Sequence, residues 1–130
     1  MEVFNLLCFG AAPGVGNRAQ MVLGGPADPA ERQRWAAQAR VNACVFIDGA
    51  DHAPVLDYWY PHARSPLCLH ATLAASHVLF ARRPQAAQIE VATAMQGQHL
   101  ALRREGSLTF IGLEAQLAPS CDVTQAELTA

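Results

Sequence analysis

The sequence predicts an α+β domain in which a mostly antiparallel, curled sheet or barrel encloses one apolar helix. Three observations favour this fold: short β-forming segments recur along the chain, residues 28–40 have an amphipathic helix pattern, and residues 70–80 are apolar on almost every side. A helix that is apolar all round is stable only when other elements enclose it. The chain of 130 residues is long enough for one core. We therefore expect a single lobe at 1–118, with 119–130 as a C-terminal tail or linker.

The outer helix is predicted from its start signals. Asp28 is placed as the N-cap, Pro29 takes the first helical position, and Glu31 stands where a capping box has its acidic residue. One apolar stripe follows along the helix, formed by Trp35, Ala36 and Ala39. This stripe predicts a surface helix that packs on the sheet through one side.

About seven strands are predicted around the two helices. In the first half of the chain they are separated by a glycine-rich turn at 10–16 and by a loop at 61–66, and they lie at 3–9, 18–23, 42–48 and 55–60. After the central helix, Gly97-Gln98 and Glu105-Gly106 mark the turns of an antiparallel meander. Its single buried face is predicted to comprise Ile89, Val91, Thr93, Met95, Leu100, Leu102, Leu108 and Phe110.

Composition excludes several classes of protein. The formal net charge is -2, and the basic residues form no run longer than two, so we expect no nucleic-acid binding. The apolar run at 3–9 is too short to cross a bilayer, and we expect a cytoplasmic protein that does not bind membranes. The four cysteines form no C-x-x-C pair and the histidines no metal-binding spacing, so neither a metal nor a disulfide framework is expected. A hydrophobic fraction of 52% suggests apolar surface that a partner covers.

The most informative stretch opens the central helix and reads Cys68-Leu69-His70-Ala71-Thr72. Together with Tyr60-Pro61, the strand ending at Phe9, the Gly16-Asn17 pair and the helix that leads into a strand at Asn42, it resembles the N-terminal half of the phenazine-biosynthesis isomerase (PhzF-like) family. The resemblance extends to about residue 116 and implies the fold that this family shares with diaminopimelate epimerase. In that fold each of two lobes wraps a barrel around a central helix, and the active site lies between the lobes.

The resemblance also implies roles for particular residues. The usual motif is Cys-Gly-His-Ala-Thr, in which His70 matches the functional histidine and Cys68 stands where related epimerases keep a catalytic cysteine. Backbone N–H groups at this helix N-terminus favour an anion such as a carboxylate. The substrate-binding residues implied by the resemblance are Asn17, Arg18, Leu69, Ala71 and Thr72.

The sequence departs from the family pattern at Asn42, Leu69 and Arg18. The family's Ser-Glu-Thr, which carries the acid/base glutamate, reads Val41-Asn42-Ala43 here, and an asparagine takes up no proton at neutral pH. Leu69 replaces the motif glycine, which removes room for close approach of a ligand to the backbone. Arg18 replaces a proline and is available to pair with a carboxylate or with a partner's acidic residue.

The leading hypothesis is a cofactor-independent isomerase, epimerase or cyclase that acts by proton transfer. Its catalytic residues are His70, Cys68 and Asn42, its substrate is a small carboxylate or carbonyl compound, and a homodimer rebuilds the site between two lobes. Two alternatives stay open: a non-catalytic ligand-binding or accessory subunit, and the N-lobe of an isomerase whose C-lobe is a separate chain.

Each candidate residue also has a purely structural interpretation. His70 then caps the helix or satisfies a core hydrogen bond, Cys68 fills the core, and Asn42 bonds a neighbouring loop. His77 is expected in the core or an interface, whereas His52 and His62 are expected in solvent.

Overall fold

The computed structural model describes residues 1–8 and 16–113, and the predicted turn residues 10–15 and the predicted tail at 119–130 lie outside this range. Within these residues there are two helices, α1 (Pro29–Gln38) and α2 (Leu69–Arg82). The strands, in chain order, are β1 (Glu2–Cys8), β2 (Asn17–Leu23), β3 (Ala43–Asp48), β4 (Val55–Tyr60), β5 (Ala63–Ser65), β6 (Gln88–Thr93), β7 (His99–Glu105) and β8 (Leu108–Leu113).

All eight strands belong to one mixed sheet with the order β1-β2-β3-β4-β6-β7-β8, and β5 pairs with β4. The β2–β3 and β4–β6 pairings are parallel, and the other pairings are antiparallel. The sheet curls into a half-barrel around α2, which confirms the predicted α+β class and the mostly antiparallel curled sheet. In the described part of the chain, no helix is both long and apolar enough to cross a membrane.

The sheet has an inner face that packs on α2 and an outer face that packs on α1. Because side chains alternate along a strand, neighbouring residues belong to different faces. Met21 and Val45 lie in the inner core with Leu79 of α2, whereas Val22 and Phe46 lie in a smaller outer core with Ala36 of α1.

Helix α1 begins as predicted, because a carboxylate oxygen of Asp28 accepts a hydrogen bond from the Glu31 backbone N–H at 3.2 Å. The predicted apolar stripe is present, with Ala36 buried and both Trp35 and Ala39 half-buried. Arg32 is buried beside this stripe and was not predicted to be part of the interior.

Helix α2 is enclosed on most sides, as predicted, with small buried residues facing the sheet at Ala71, Ala74, Ala75 and Ser76. His77 was predicted in the core or an interface, and its exposed side chain excludes the core. His77 faces the gap between β1 and β8, which are the two ends of the strand order within the described residues. A half-barrel leaves one strip of its central helix uncovered at this gap.

Two predictions for the sheet were also wrong. The segment predicted as a loop at 61–66 contains β5, whose three residues are too few to display an alternating pattern. Met95 lies in the turn after β6 and is largely exposed, so it does not continue the buried face.

The third correction concerns β8, where Leu108 and Phe110 are exposed. The β7–β8 register places the odd-numbered Ile111 opposite the buried, even-numbered Leu102, so Ile111 packs against the inner core. Phe110 lies opposite Arg103 instead, whose guanidinium is 5.2 Å from the ring centroid. Hairpin register, and not the continued spacing of apolar residues, decides which face each residue of β8 occupies.

Candidate functional site

The thiol of Cys68 and the imidazole of His70 lie in contact at the N-terminus of α2. Cys68 is the N-cap, with extended backbone (φ -141°, ψ 111°), and its side chain makes no capping hydrogen bond. Its sulfur lies 3.2 Å from His70 Nδ1. Burial lowers the pKa of His70 from its ordinary value, which favours the neutral imidazole. A neutral imidazole beside a thiol is able to accept the thiol proton.

A buried hydroxyl pair positions this helix end. The Thr72 hydroxyl donates to the Cys68 carbonyl at 2.8 Å, and the Thr72 N–H donates to the same carbonyl at 2.9 Å. Because the Thr72 hydroxyl hydrogen is donated to the Cys68 carbonyl, the Tyr58 hydroxyl must be the donor in its 2.6 Å contact with Thr72 Oγ1. Burial raises the pKa of Tyr58 to about 12, so the phenol stays protonated as this role requires.

Two further residues that the sequence did not indicate surround Cys68. The pKa of Tyr60 is raised, first by its interaction with the Cys68 side chain and then by burial. The pKa of Cys8 is raised mainly by burial and secondarily by the charge of Cys68. The alternation of β4 brings Tyr58 and Tyr60 to the inner face together.

A cavity of about 260 Å³ adjoins this cluster in the gap between β1 and β8. Its walls come from the end of β1, the uncovered strip of α2 and the β7–β8 turn, and they include Cys8, Leu73, His77, Ser107 and Thr109. The cavity has nearly equal polar and apolar character, so it suits a small polar metabolite better than a lipid.

The side chain of Asn42 is engaged away from the Cys68–His70 contact. Asn42 Oδ1 accepts a hydrogen bond from the Arg18 backbone N–H at 2.8 Å, and the Asn42 N–H donates to the Arg18 carbonyl at 2.9 Å. Arg18 has the outer-face parity of β2, because Ala19, which follows it, is in the inner core, and Asn42 directly precedes β3. The structure thus brings Asn42 and Arg18 together, and the side chain of Asn42 is engaged with Arg18 and not with Cys68 or His70.

Asn17 lies opposite Cys8 in the β1–β2 register. Its side chain therefore belongs to the inner face of the sheet, unlike that of Arg18. Leu69 is 49% exposed beside the helix N-terminus, whereas Ala71 and Thr72 are buried. Thr72 uses its hydroxyl within the chain, so its part in the site is to position Cys68. The first backbone N–H groups of α2 precede its intrahelical hydrogen bonds and are the groups that an anion would contact.

The part of the chain that the structure describes contains no cluster of three or more histidine, cysteine or acidic side chains arranged to hold a metal ion. Cys8, Cys44 and Cys68 are free thiols. Cys44 lies on the outer face, where burial raises its pKa to about 11. It is therefore a suitable reference for the reactivity of Cys68.

Neither a family model nor a curated protein matches the sequence. Solved structures do match the fold. A phenazine biosynthesis protein of the PhzF family from Enterococcus faecalis aligns with a TM-score of 0.72 at 23% identity, over 82% of this chain and 41% of that one. A putative phenazine biosynthesis PhzC/PhzF protein from Clostridium difficile aligns with a TM-score of 0.71 at 26% identity, over the same shares of the two chains.

A predicted epimerase from Pseudomonas aeruginosa also matches, with a TM-score of 0.65 at 21% identity, over 84% of this chain and 40% of that one. The chain therefore spans about two fifths of the length of these structures. Together with the half-barrel around α2, these similarities show that the chain has the fold of a single lobe of the PhzF-like, diaminopimelate epimerase-like proteins.

Proposed function

We propose that this lobe forms part of a cofactor-independent isomerase or epimerase that moves a proton on a small carboxylate or carbonyl compound. The observation that carries the proposal is the 3.2 Å contact between Cys68 Sγ and His70 Nδ1 at the N-terminus of α2. The similarity to PhzF-family proteins and to a predicted epimerase supports the reaction class.

In the proposed reaction His70 accepts the proton of the Cys68 thiol, and the thiolate removes a proton from the carbon next to the substrate's carboxylate or carbonyl group. Backbone N–H groups of the first turn of α2 stabilise the negative charge that develops on the substrate oxygens. In double-bond migration the Cys68 thiol returns the proton to a different carbon, and in epimerisation the Cys68 thiol of a second lobe supplies a proton to the opposite face of the same carbon.

We propose further that a second lobe completes the site, and that a homodimer supplies it. Large apolar side chains are exposed on both strands that border the gap over α2, namely Val3, Phe4, Leu7, Leu108, Phe110 and Leu113. A two-fold dimer that covers this gap would bring two helix N-termini to one cleft, with Cys68 and His70 from each subunit.

Association through the gap is tested by measuring mass in solution for the wild type and for Phe4→Lys and Phe110→Lys. The expected wild-type mass is twice 13.9 kDa, and both variants should shift toward one chain. Met95→Lys is the control, since Met95 is similarly exposed but lies in the turn after β6. A wild type that is monomeric at micromolar concentration contradicts the homodimer and favours a separate C-lobe chain.

Catalysis is tested by incubating candidate carboxylated metabolites with the protein in deuterated water and measuring deuterium incorporation by mass spectrometry. Cys68→Ala and His70→Asn should each slow exchange by about 10²-fold or more. The matched controls are Cys44→Ala, a buried thiol on the outer face, and His52→Asn, an exposed histidine. Exchange at the wild-type rate in both site variants contradicts the assignment.

A non-catalytic binding or accessory subunit is the second candidate, and one observation favours it. The residue at the family's glutamate position, Asn42, uses its side chain to hold the Arg18 backbone. Binding of carboxylated ligands without exchange into any of them would support this alternative against the isomerase.

A further inference from the structure

A groove of about 520 Å³ lies where the ends of β1 and β2 meet the residues that follow α1. Its walls are largely apolar, from Leu7, Ala39 and Val41, and two arginines, Arg18 and Arg40, also line it. This volume lies within the range of small-molecule sites, about 300–1,000 Å³. Neither Cys68 nor His70 lines the groove, although Leu6 and Leu7 line both this groove and the cavity beside the gap.

The two arginines at the groove differ from most arginines of the chain. Arg32, Arg64 and Arg82 form ion pairs with acidic side chains, and Arg83 and Arg104 donate to backbone carbonyls. Within residues 1–8 and 16–113, the side chains of Arg18, Arg34 and Arg40 have no hydrogen-bonding or ion-pairing partner. Two of these three line the same groove, which leaves positive charge there for an external anion.

The backbone is constrained at both arginines, by an unusual conformation at Arg40 and by a hydrogen bond from a side chain at Arg18. Arg40 follows the last residues of α1 with φ +55°, the left-handed conformation for which helices usually use glycine. The Arg18 N–H is held by the Asn42 side chain at 2.8 Å. The side chain at position 40 thus projects from a backbone conformation that glycine would adopt with less strain.

We propose that this groove binds a small monocarboxylate with an apolar body, its carboxylate between Arg18 and Arg40 and its apolar part against Leu7, Ala39 and Val41. The charge of the two guanidinium groups selects an anion, and the apolar walls select against inorganic ions. The groove is a binding site additional to the Cys68–His70 cluster and does not depend on the proposed isomerase activity.

The protein contains an internal reporter for such binding. Asn5, which lines the groove, accepts a hydrogen bond from Gln20 Nε2 at 3.0 Å, and Gln20 Oε1 accepts one from Trp35 Nε1 at 2.6 Å. Occupancy of the groove is therefore expected to change Trp35 fluorescence. Trp59, the other tryptophan, is buried and serves as a constant background.

The test is a titration of the full chain with benzoate, followed by tryptophan fluorescence and calorimetry at constant ionic strength, with benzamide as the uncharged isostere. Benzoate should bind at millimolar concentrations and benzamide at least about tenfold more weakly. Arg18→Leu and Arg40→Gly should each weaken benzoate binding by about tenfold to a hundredfold. Arg34→Leu, which removes an unpaired arginine outside the groove, should leave it unchanged.

Arg40→Gly also separates loss of binding from loss of folding. Because glycine tolerates a positive φ, this variant should unfold at the same temperature as the wild type or at a higher one while it loses benzoate binding. Equal binding of benzoate and benzamide, or unaltered binding in Arg18→Leu and Arg40→Gly, overturns the proposal. Equal weakening by Arg34→Leu overturns it as well, since general positive charge would then explain the result.

Discussion

Arg32 Nη1 donates to Asp57 Oδ2 across 2.8 Å and so joins α1 to β4, with both side chains buried on the outer face of the sheet. The other Asp57 oxygen accepts from Arg64 Nε at 2.8 Å, and Arg32 Nη2 pairs with Asp48. The Arg32 guanidinium also lies 4.8 Å from the centre of the Phe46 ring. This network places α1 on the sheet through specific contacts as well as through its short apolar stripe.

Asp57→Ala is expected to destabilise the protein by about 3–5 kcal/mol, because it leaves buried positive charge without its best partner. Urea unfolding followed by circular dichroism measures the change. Glu105→Ala is the control, since its contact with Arg103 is 3.5 Å long and exposed, and it should cost less than about 1 kcal/mol. Similar losses in the two variants would contradict the structural role given to the Arg32–Asp57 pair.

Tyr58→Phe should cost about 1–2 kcal/mol, because the variant removes a buried hydrogen bond and leaves Thr72 Oγ1 without its donor. Thr72 keeps its bond to the Cys68 carbonyl, so the N-terminus of α2 should be loosened and not lost. Tyr60→Phe is the matched control and should cost less, since Tyr60 is only half-buried. Thermal unfolding of the two variants decides the point, and a larger loss for Tyr60→Phe would argue against the positioning role of Tyr58.

Asn42→Ala should lower stability by about 0.5–1.5 kcal/mol through loss of the acceptor for the Arg18 N–H. Asn42→Asp keeps an acceptor oxygen at the same place and should stay within about 0.5 kcal/mol of the wild type. Chemical unfolding of both variants tests this pair. If alanine is tolerated as well as aspartate, the hydrogen bond between the strand starts is not the reason for an asparagine at this position.

The pH dependence of stability should carry a contribution from His70. Burial lowers its folded-state pKa below the ordinary 6.5, so the unfolded chain binds this proton more readily than the folded one. Stability is therefore retained above about pH 6.5 and falls as the pH decreases from there through the lowered pKa. Unfolding free energies measured between pH 7.5 and pH 5 should fall less steeply in His70→Gln. In His52→Gln, which alters an exposed histidine, the dependence should match the wild type.

Local signals in the sequence were sufficient for most of the elements. The Asp28 cap and the proline after it start α1 where predicted, because capping depends on residues within one turn of one another. The apolar coverage of α2 likewise predicted its enclosure, since a helix without a polar face has no solvent-facing side. The motif at Cys68 and His70 placed the candidate site at the start of this helix, and the two side chains do lie in contact there.

The features that the sequence did not predict depend on pairs of residues that are distant in sequence. Burial of Arg32 depends on Asp57, 25 positions away, and neither residue alone indicates an interior charge. The interior position of Ile111, in place of Phe110, depends on the register of a hairpin that apolar spacing does not specify.

The sequence by itself determined a lobe built around an apolar helix that opens with Cys68 and His70, because capping, periodicity and motif are local properties. Only the tertiary structure decided that Asn42 holds the Arg18 backbone while Tyr58 and Thr72 position Cys68. The physical reason is that strand pairing fixes which side of a sheet each residue faces, and pairing joins segments that the sequence keeps far apart.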